Sequence, residues 1–68
     1  MARGTIKFVN AEKGWAFIKP NEGDKDLFVH ATELQDIKIG GLQIGDPVVF
    51  EVGEGGRGPC AKKVRLDD

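Results

Sequence analysis

The residues with the strongest chemical character recur at alternate positions. Lys13, Trp15, Phe17 and Lys19 follow one another at every second residue, and Asp26, Phe28 and His30 repeat the pattern a few residues later. Side chains of an extended strand point alternately to opposite faces, so each set shares one face while Ala16, Ile18, Leu27 and Val29 take the other. Rings interleaved with ammonium groups suit the single strand of a nucleic acid: its bases present π-faces that stack on Trp, Phe and His, while Lys and Arg follow the phosphates. A duplex hides those faces. Parity alone leaves two assignments open. Either the aliphatic set fills the core and the rings form an exposed binding patch, or the rings are themselves core, because so short a chain has few other large side chains to bury.

Catalytic and metal chemistry find no support in the residue types. There is no serine, the one histidine (His30) has no His or Cys at metal-ligand spacing, and the one cysteine (Cys60) completes neither a disulfide nor a metal quartet. Without a nucleophile–base pair or a cofactor motif, the chain reads as a binding protein that is not an enzyme and takes no cofactor or metal. His30 remains open between a half-exposed sheet histidine and a stacking ring. Asp26 falls on the ring-bearing face, where a carboxylate accepts hydrogen bonds from base amino groups. Glu22, Asp24 and Glu33 read as solvated loop charges. A lone Cys60 reads as a small packed side chain in a reducing compartment.

The elements that must position these residues are short strands. Ten glycines and three prolines divide 68 residues into apolar runs of strand length: Thr5–Val9, Trp15–Lys19, Asp26–His30, Val48–Val52 and Ala61–Leu66. The second and third form a hairpin, and the glycine-rich stretch Gly53–Pro59 reads as a loop between the fourth and fifth. Thr32-Glu33-Leu34-Gln35 has the spacing of a capping box, but Gly40 and Gly41 follow too soon for more than one short helical turn. Ile6, Ile18, Leu27, Val29, Val48, Phe50, Val52 and Val64 are the expected core. Phe8 shares parity with Ile6, so a buried Ile6 and a Phe8 on the ring face require a bulge or sharp coiling in the first strand. Five short antiparallel strands leave exposed edges unless the sheet closes, and closure into a small five-stranded barrel removes them. The expectation is an all-β single domain over residues 1–68.

Composition sets the remaining bounds. With 40% hydrophobic and 31% charged residues the chain has the balance of a folded domain. Ten Lys and Arg against 11 Asp and Glu leave a net charge of −1, which by itself favours neither a nucleic acid nor a membrane. The distribution is uneven. Residues 1–19 carry Arg3, Lys7, Lys13 and Lys19 against Glu12, a net +3, and residues 57–68 reach +2, whereas residues 20–56 sum to −6. Both chain ends lying in one sheet would give an acidic protein a basic face. The amino terminus shows no apolar run of signal-peptide length and no stretch approaches the ~20 apolar residues of a membrane span, which reads as a cytoplasmic protein.

Lys13-Gly14-Trp15-Ala16-Phe17-Ile18 and Leu27-Phe28-Val29-His30 resemble the paired ribonucleoprotein-type motifs of the bacterial cold-shock protein family. Ile6 to Gly14 resembles that family's first strand and loop, and Val48–Val52 followed by Gly56–Ala61 resembles its fourth strand, loop and start of the fifth. The likeness covers nearly the whole chain. It implies an oligonucleotide-binding (OB-fold) barrel that binds single-stranded RNA and DNA, acts as an RNA chaperone and regulates transcription or translation. Carried over residue by residue, it implies a binding surface of Lys7, Phe8, Asn10, Lys13, Trp15, Phe17, Asp26, Phe28, His30, Arg57 and Pro59, with the rings outward. The chain departs from the family at several points. Val9 and Ala31 stand where aromatics are usual, Ala16 replaces a glycine, the Asp36–Leu42 loop lacks a Phe, and Phe8 and Trp15 exchange the customary Trp and Phe. Fewer stacking partners imply a shorter or weaker footprint. The partners expected are single-stranded RNA and DNA, with no membrane or small-molecule substrate, bound by a monomer. A competing reading from another class is a small β-barrel that binds protein partners, whose mark would be a ring-lined groove without lysines. The RNA-recognition-motif fold shares the Lys13–Ile18 pattern but needs two amphipathic helices that this sequence lacks.

Overall fold

Glycines break the chain into short apolar runs, and each run is a strand. The computed structural model describes residues 2–23, 25–35, 37–55 and 58–67. It contains β1 (Ala2–Asn10), β2 (Trp15–Pro20), β3 (Leu27–His30), β4 (Pro47–Gly55) and β5 (Gly58–Leu66). Two single-turn 3-10 helices, Ala31–Glu33 and Ile39–Gly41, lie between β3 and β4, one more turn than the sequence suggests. The capping box does not form as expected: the His30 side chain, not Thr32, caps the first turn by accepting from the Thr32 N–H. Among the described residues no helix is long and apolar enough to cross a membrane.

The strands close into a barrel in the order β1-β2-β3-β5-β4. Four seams are antiparallel and the fifth, β3 with β5, is parallel through Phe28 and Cys60. β1 serves two neighbours, pairing with β4 from Ala2↔Phe50 to Thr5↔Pro47 and with β2 from Gly4↔Pro20 to Asn10↔Trp15. At this corner Gly4 has no room for a side chain, because a Cβ there would lie 2.5 Å from the Lys19 carbonyl oxygen. β4 and β5 run further than expected. Gly55 pairs with Gly58, so most of the expected glycine-rich loop is a continuous ribbon. Gly56 and Arg57 lie outside the described residues.

The interior is aliphatic except for Phe50. Ile6, Ala16, Ile18, Leu27, Val29, Leu42, Val48, Phe50, Ala61 and Val64 form one buried cluster, and each large member contributes roughly 1.5–3 kcal/mol relative to exposure. Val52 does not belong to it. Its parity matches Val48 and Phe50, yet it is 60% exposed, because at this end the barrel opens into a groove that Val52 lines together with Ala2, Pro20, Glu22, Leu27 and Phe50. Alternation places a side chain on the inner face; a covering element must still bury it.

Candidate nucleic-acid interface

Four of the five aromatic residues, Phe8, Trp15, Phe17 and Phe28, sit outside this core; Phe50 is inside it. Strand register sets the four in two rows across β1, β2 and β3: Phe8, Phe17 and Phe28 are successive cross-strand partners, and so are Asn10, Trp15 and His30. Trp15, Phe17 and Phe28 are half-buried, His30 is exposed, and Phe8 is 47% exposed. Ring centroids lie 5.6 Å apart for Phe8–Trp15, 5.4 Å for Trp15–Phe17, 6.2 Å for Trp15–Phe28 and 5.9 Å for Phe17–Phe28. These are favoured spacings for tilted and edge-to-face pairs, so the four rings support one another as a patch. Of the two assignments parity left open, the aliphatic core with outward rings is the one that forms.

Phe8 reaches the patch by a bulge, one of the two irregularities its parity allows. Ile6 pairs with Ile18 and Phe8 with Phe17, leaving Lys7 as an extra residue and letting a buried Ile6 and an outward Phe8 occupy the same strand. The turn that follows is tied locally. Asn10 Oδ1 accepts from the Lys13 N–H at 3.1 Å, the Gly14 N–H donates to the Asn10 carbonyl at 2.8 Å, and Gly14 adopts φ 79°, a conformation open to glycine. The Gly14 carbonyl then accepts from the Ala31 N–H at 2.9 Å, fastening this turn to the end of β3.

The polar residues divide into held and free. Lys7 Nζ bonds Asp26 Oδ2 at 2.8 Å, with side chains 57% and 32% exposed; a pair this wet contributes roughly 0.2–1 kcal/mol. Asp26 is therefore not an idle acceptor, and Lys7 is not an idle cation. The Lys13 side chain is exposed and makes no hydrogen bond or ion pair among the described residues. His30 Nδ1 accepts from the Thr32 N–H at 3.2 Å and lies 3.0 Å from Thr32 Oγ1. Pro59 is exposed beside Cys60, whose Cα is the partner of Phe28 at the parallel seam. Arg57 lies outside the described residues. The structure thus brings the implied residues of β1, β2 and β3 onto one face, with Pro59 at its edge.

A family model for the 'Cold-shock' DNA-binding domain matches residues 2–66. The chain belongs to the cold-shock domain family. It is 48% identical over 65 residues to "Probable cold shock protein A" of Mycolicibacterium smegmatis, covering 96% of this chain and 97% of that protein. It is 47% identical over 66 residues to a "Cold shock protein" of Arthrobacter globiformis, covering 97% and 98%. Among solved structures, "drosophila Unr CSD456" superposes with a TM-score of 0.80 at 25% identity, over 98% of this chain and 26% of that one. Cold-shock domains bind nucleic acid and are not enzymes, so the ring face belongs to a domain whose family function is binding. In this cold-shock domain Val9 is half-buried against the core and Ala31 is half-buried near Gly14, so the two positions that lack the usual aromatics add nothing to the patch.

Two features of the face escaped sequence reasoning. The Lys7–Asp26 pair joins residues 19 apart, and no local pattern announces it. The tie between His30 and Thr32 spans only two residues, and an Asx- or ST-like reading of His-x-Thr would have found it.

Proposed function

We propose that this cold-shock domain binds single-stranded RNA and DNA with little sequence preference, stacking bases on Phe8, Trp15, Phe17, Phe28 and His30 and following phosphates with lysine and arginine. The observation that carries the reading is the set of four mutually supporting rings outside a core that fills without them. A protein that takes single strands and not duplexes shifts melting equilibria toward the open form by mass action. That is the physical content of an RNA chaperone, and melting secondary structure in a transcript regulates its transcription or translation. Residues 1–68 act as one unit, as a monomer, in the cytoplasm, where the lone Cys60 stays reduced.

Stacking contributes roughly 1–3 kcal/mol per base. Three phosphate contacts give a salt slope near −2, so raising salt from 50 to 200 mM weakens binding on the order of 20-fold. A titration of Trp15 fluorescence with a pyrimidine-rich single strand, and again with the duplex of the same sequence, tests the reading. Strong quenching by the strand and weak response to the duplex are expected. Equal affinity for the two would overturn it, as would a salt slope steeper than about −5. Binding of a protein partner with no response to either nucleic acid would favour the interaction-module reading instead.

A further inference from the structure

Two lysines stand where the ring face ends, beyond Phe17, and they differ in what holds them. Lys7 is the extra residue of the β1 bulge, and its Nζ lies 2.8 Å from Asp26 just before β3. Because β2 separates β1 from β3 in the barrel, this bridge crosses β2. The pairings Ile6↔Ile18 and Ile18↔Leu27 put the crossing at the level of Ile18 and Lys19.

Lys19 is placed differently. Ala16 and Ile18 are buried, while Trp15, Phe17 and Lys19 alternate with them, so Lys19 leaves β2 on the face of the rings. It is exposed and makes no side-chain hydrogen bond or ion pair among the described residues. Two residues of strand, about 6.6–6.8 Å, separate it from Phe17. Lys13 is equally unpaired two residues before Trp15. The ring row on β2 therefore carries an idle cation at each end.

We propose that Lys19, with Lys13, meets the phosphates of a strand lying on the ring face, and that Asp26 withholds Lys7 from that role. Moving Lys7 onto a phosphate breaks its bond to Asp26 and leaves an uncompensated carboxylate beside a polyanion, an arrangement that like-charge repulsion disfavours. Lys19 surrenders no partner among the described residues. Lys19 is not among the residues that the family resemblance implies, and the assignment rests on the single-strand reading above.

Counterion release separates the two lysines. A labelled thymidine oligomer of about 8 nucleotides, within the range one barrel covers, is titrated at 50 and 200 mM salt. Wild type loses affinity about 20-fold between them. Lys19→Gln is expected to shrink that loss to about 7-fold, a slope shallower by about 0.7. The charge-neutral double variant Lys7→Gln/Asp26→Asn is expected to keep the 20-fold loss. A Lys19→Gln protein with an unchanged slope, or a double variant with a shallower one, overturns the assignment. Unchanged urea midpoints establish that both variants fold. Failure of the underlying reading shows separately, as wild-type Trp15 fluorescence that no single strand quenches, and it takes this assignment with it.

Discussion

Phe28 and Phe50 are the same residue in two regions of one barrel, and they do opposite work. Phe50, on β4, is wholly buried and is among the largest side chains of the core. Phe28, on β3, is half-buried in a patch with Trp15 and Phe17. The outer faces around them differ just as sharply. Across β1, β2 and β3 the outward residues include four rings, whereas along β4 and β5 they include Glu51, Lys62, Lys63 and Arg65, with Lys63 Nζ 3.5 Å from Glu51. A solvated charged exterior is the ordinary outside of a strand. The barrel closes and fills its interior without the four rings, so packing of the core does not account for them.

The comparison breaks most visibly in stability. Phe50→Ala is expected to cost about 3–5 kcal/mol in urea unfolding, while Phe28→Ala costs well under that; equal losses would return the rings to the core. Phe50→Leu, which removes less volume, retains enough fold for a binding titration, and its affinity for a single strand is expected to match wild type. In binding the order reverses. Phe28→Ala is expected to weaken single-strand affinity by about 1–3 kcal/mol, roughly 5- to 150-fold, and to leave the salt slope unchanged.

Two glycines sharpen the contrast between the regions at the level of backbone. Gly4→Ala would press a methyl group against the Lys19 carbonyl oxygen at 2.5 Å and Pro20 Cα at 2.9 Å, neither of which can swing aside, and is expected to destabilise by about 1–3 kcal/mol. At Gly53 the nearest atom is Cε of the flexible Lys62 side chain, at 2.8 Å, so Gly53→Ala is expected to fall within about 0.5 kcal/mol of wild type. Thermal unfolding of the two variants checks the difference. The smallest effect belongs to Lys13→Gln, whose loss of affinity between 50 and 200 mM salt is expected to be about 7-fold where wild type loses about 20-fold. An aromatic variant that bound like wild type while Lys13→Gln failed to bind would mean that charge, not stacking, carries the interaction.

Much of this molecule is legible in one dimension. Alternation along Trp15–Lys19 and Leu27–His30 separates aliphatic from aromatic side chains, and the parity conflict between Ile6 and Phe8 marks β1 as irregular, a bulge or sharp coiling, of which the structure shows the bulge. Those features are local, because a strand's two-residue period is a property of the backbone itself. Which set of side chains turned inward was not local, and it was the closed barrel that put the aliphatics inside. Three-dimensional pairing also decided the parallel seam of Phe28 with Cys60, 32 positions apart, and the capture of Lys7 by Asp26 across β2. It decided Val52 as well, whose inward parity meets an open groove that the described residues leave uncovered. Chain order carries the period and the residue types. Burial and ion pairing depend on which distant segment arrives opposite, and that is settled when loop closure and strand pairing are satisfied together over the whole barrel.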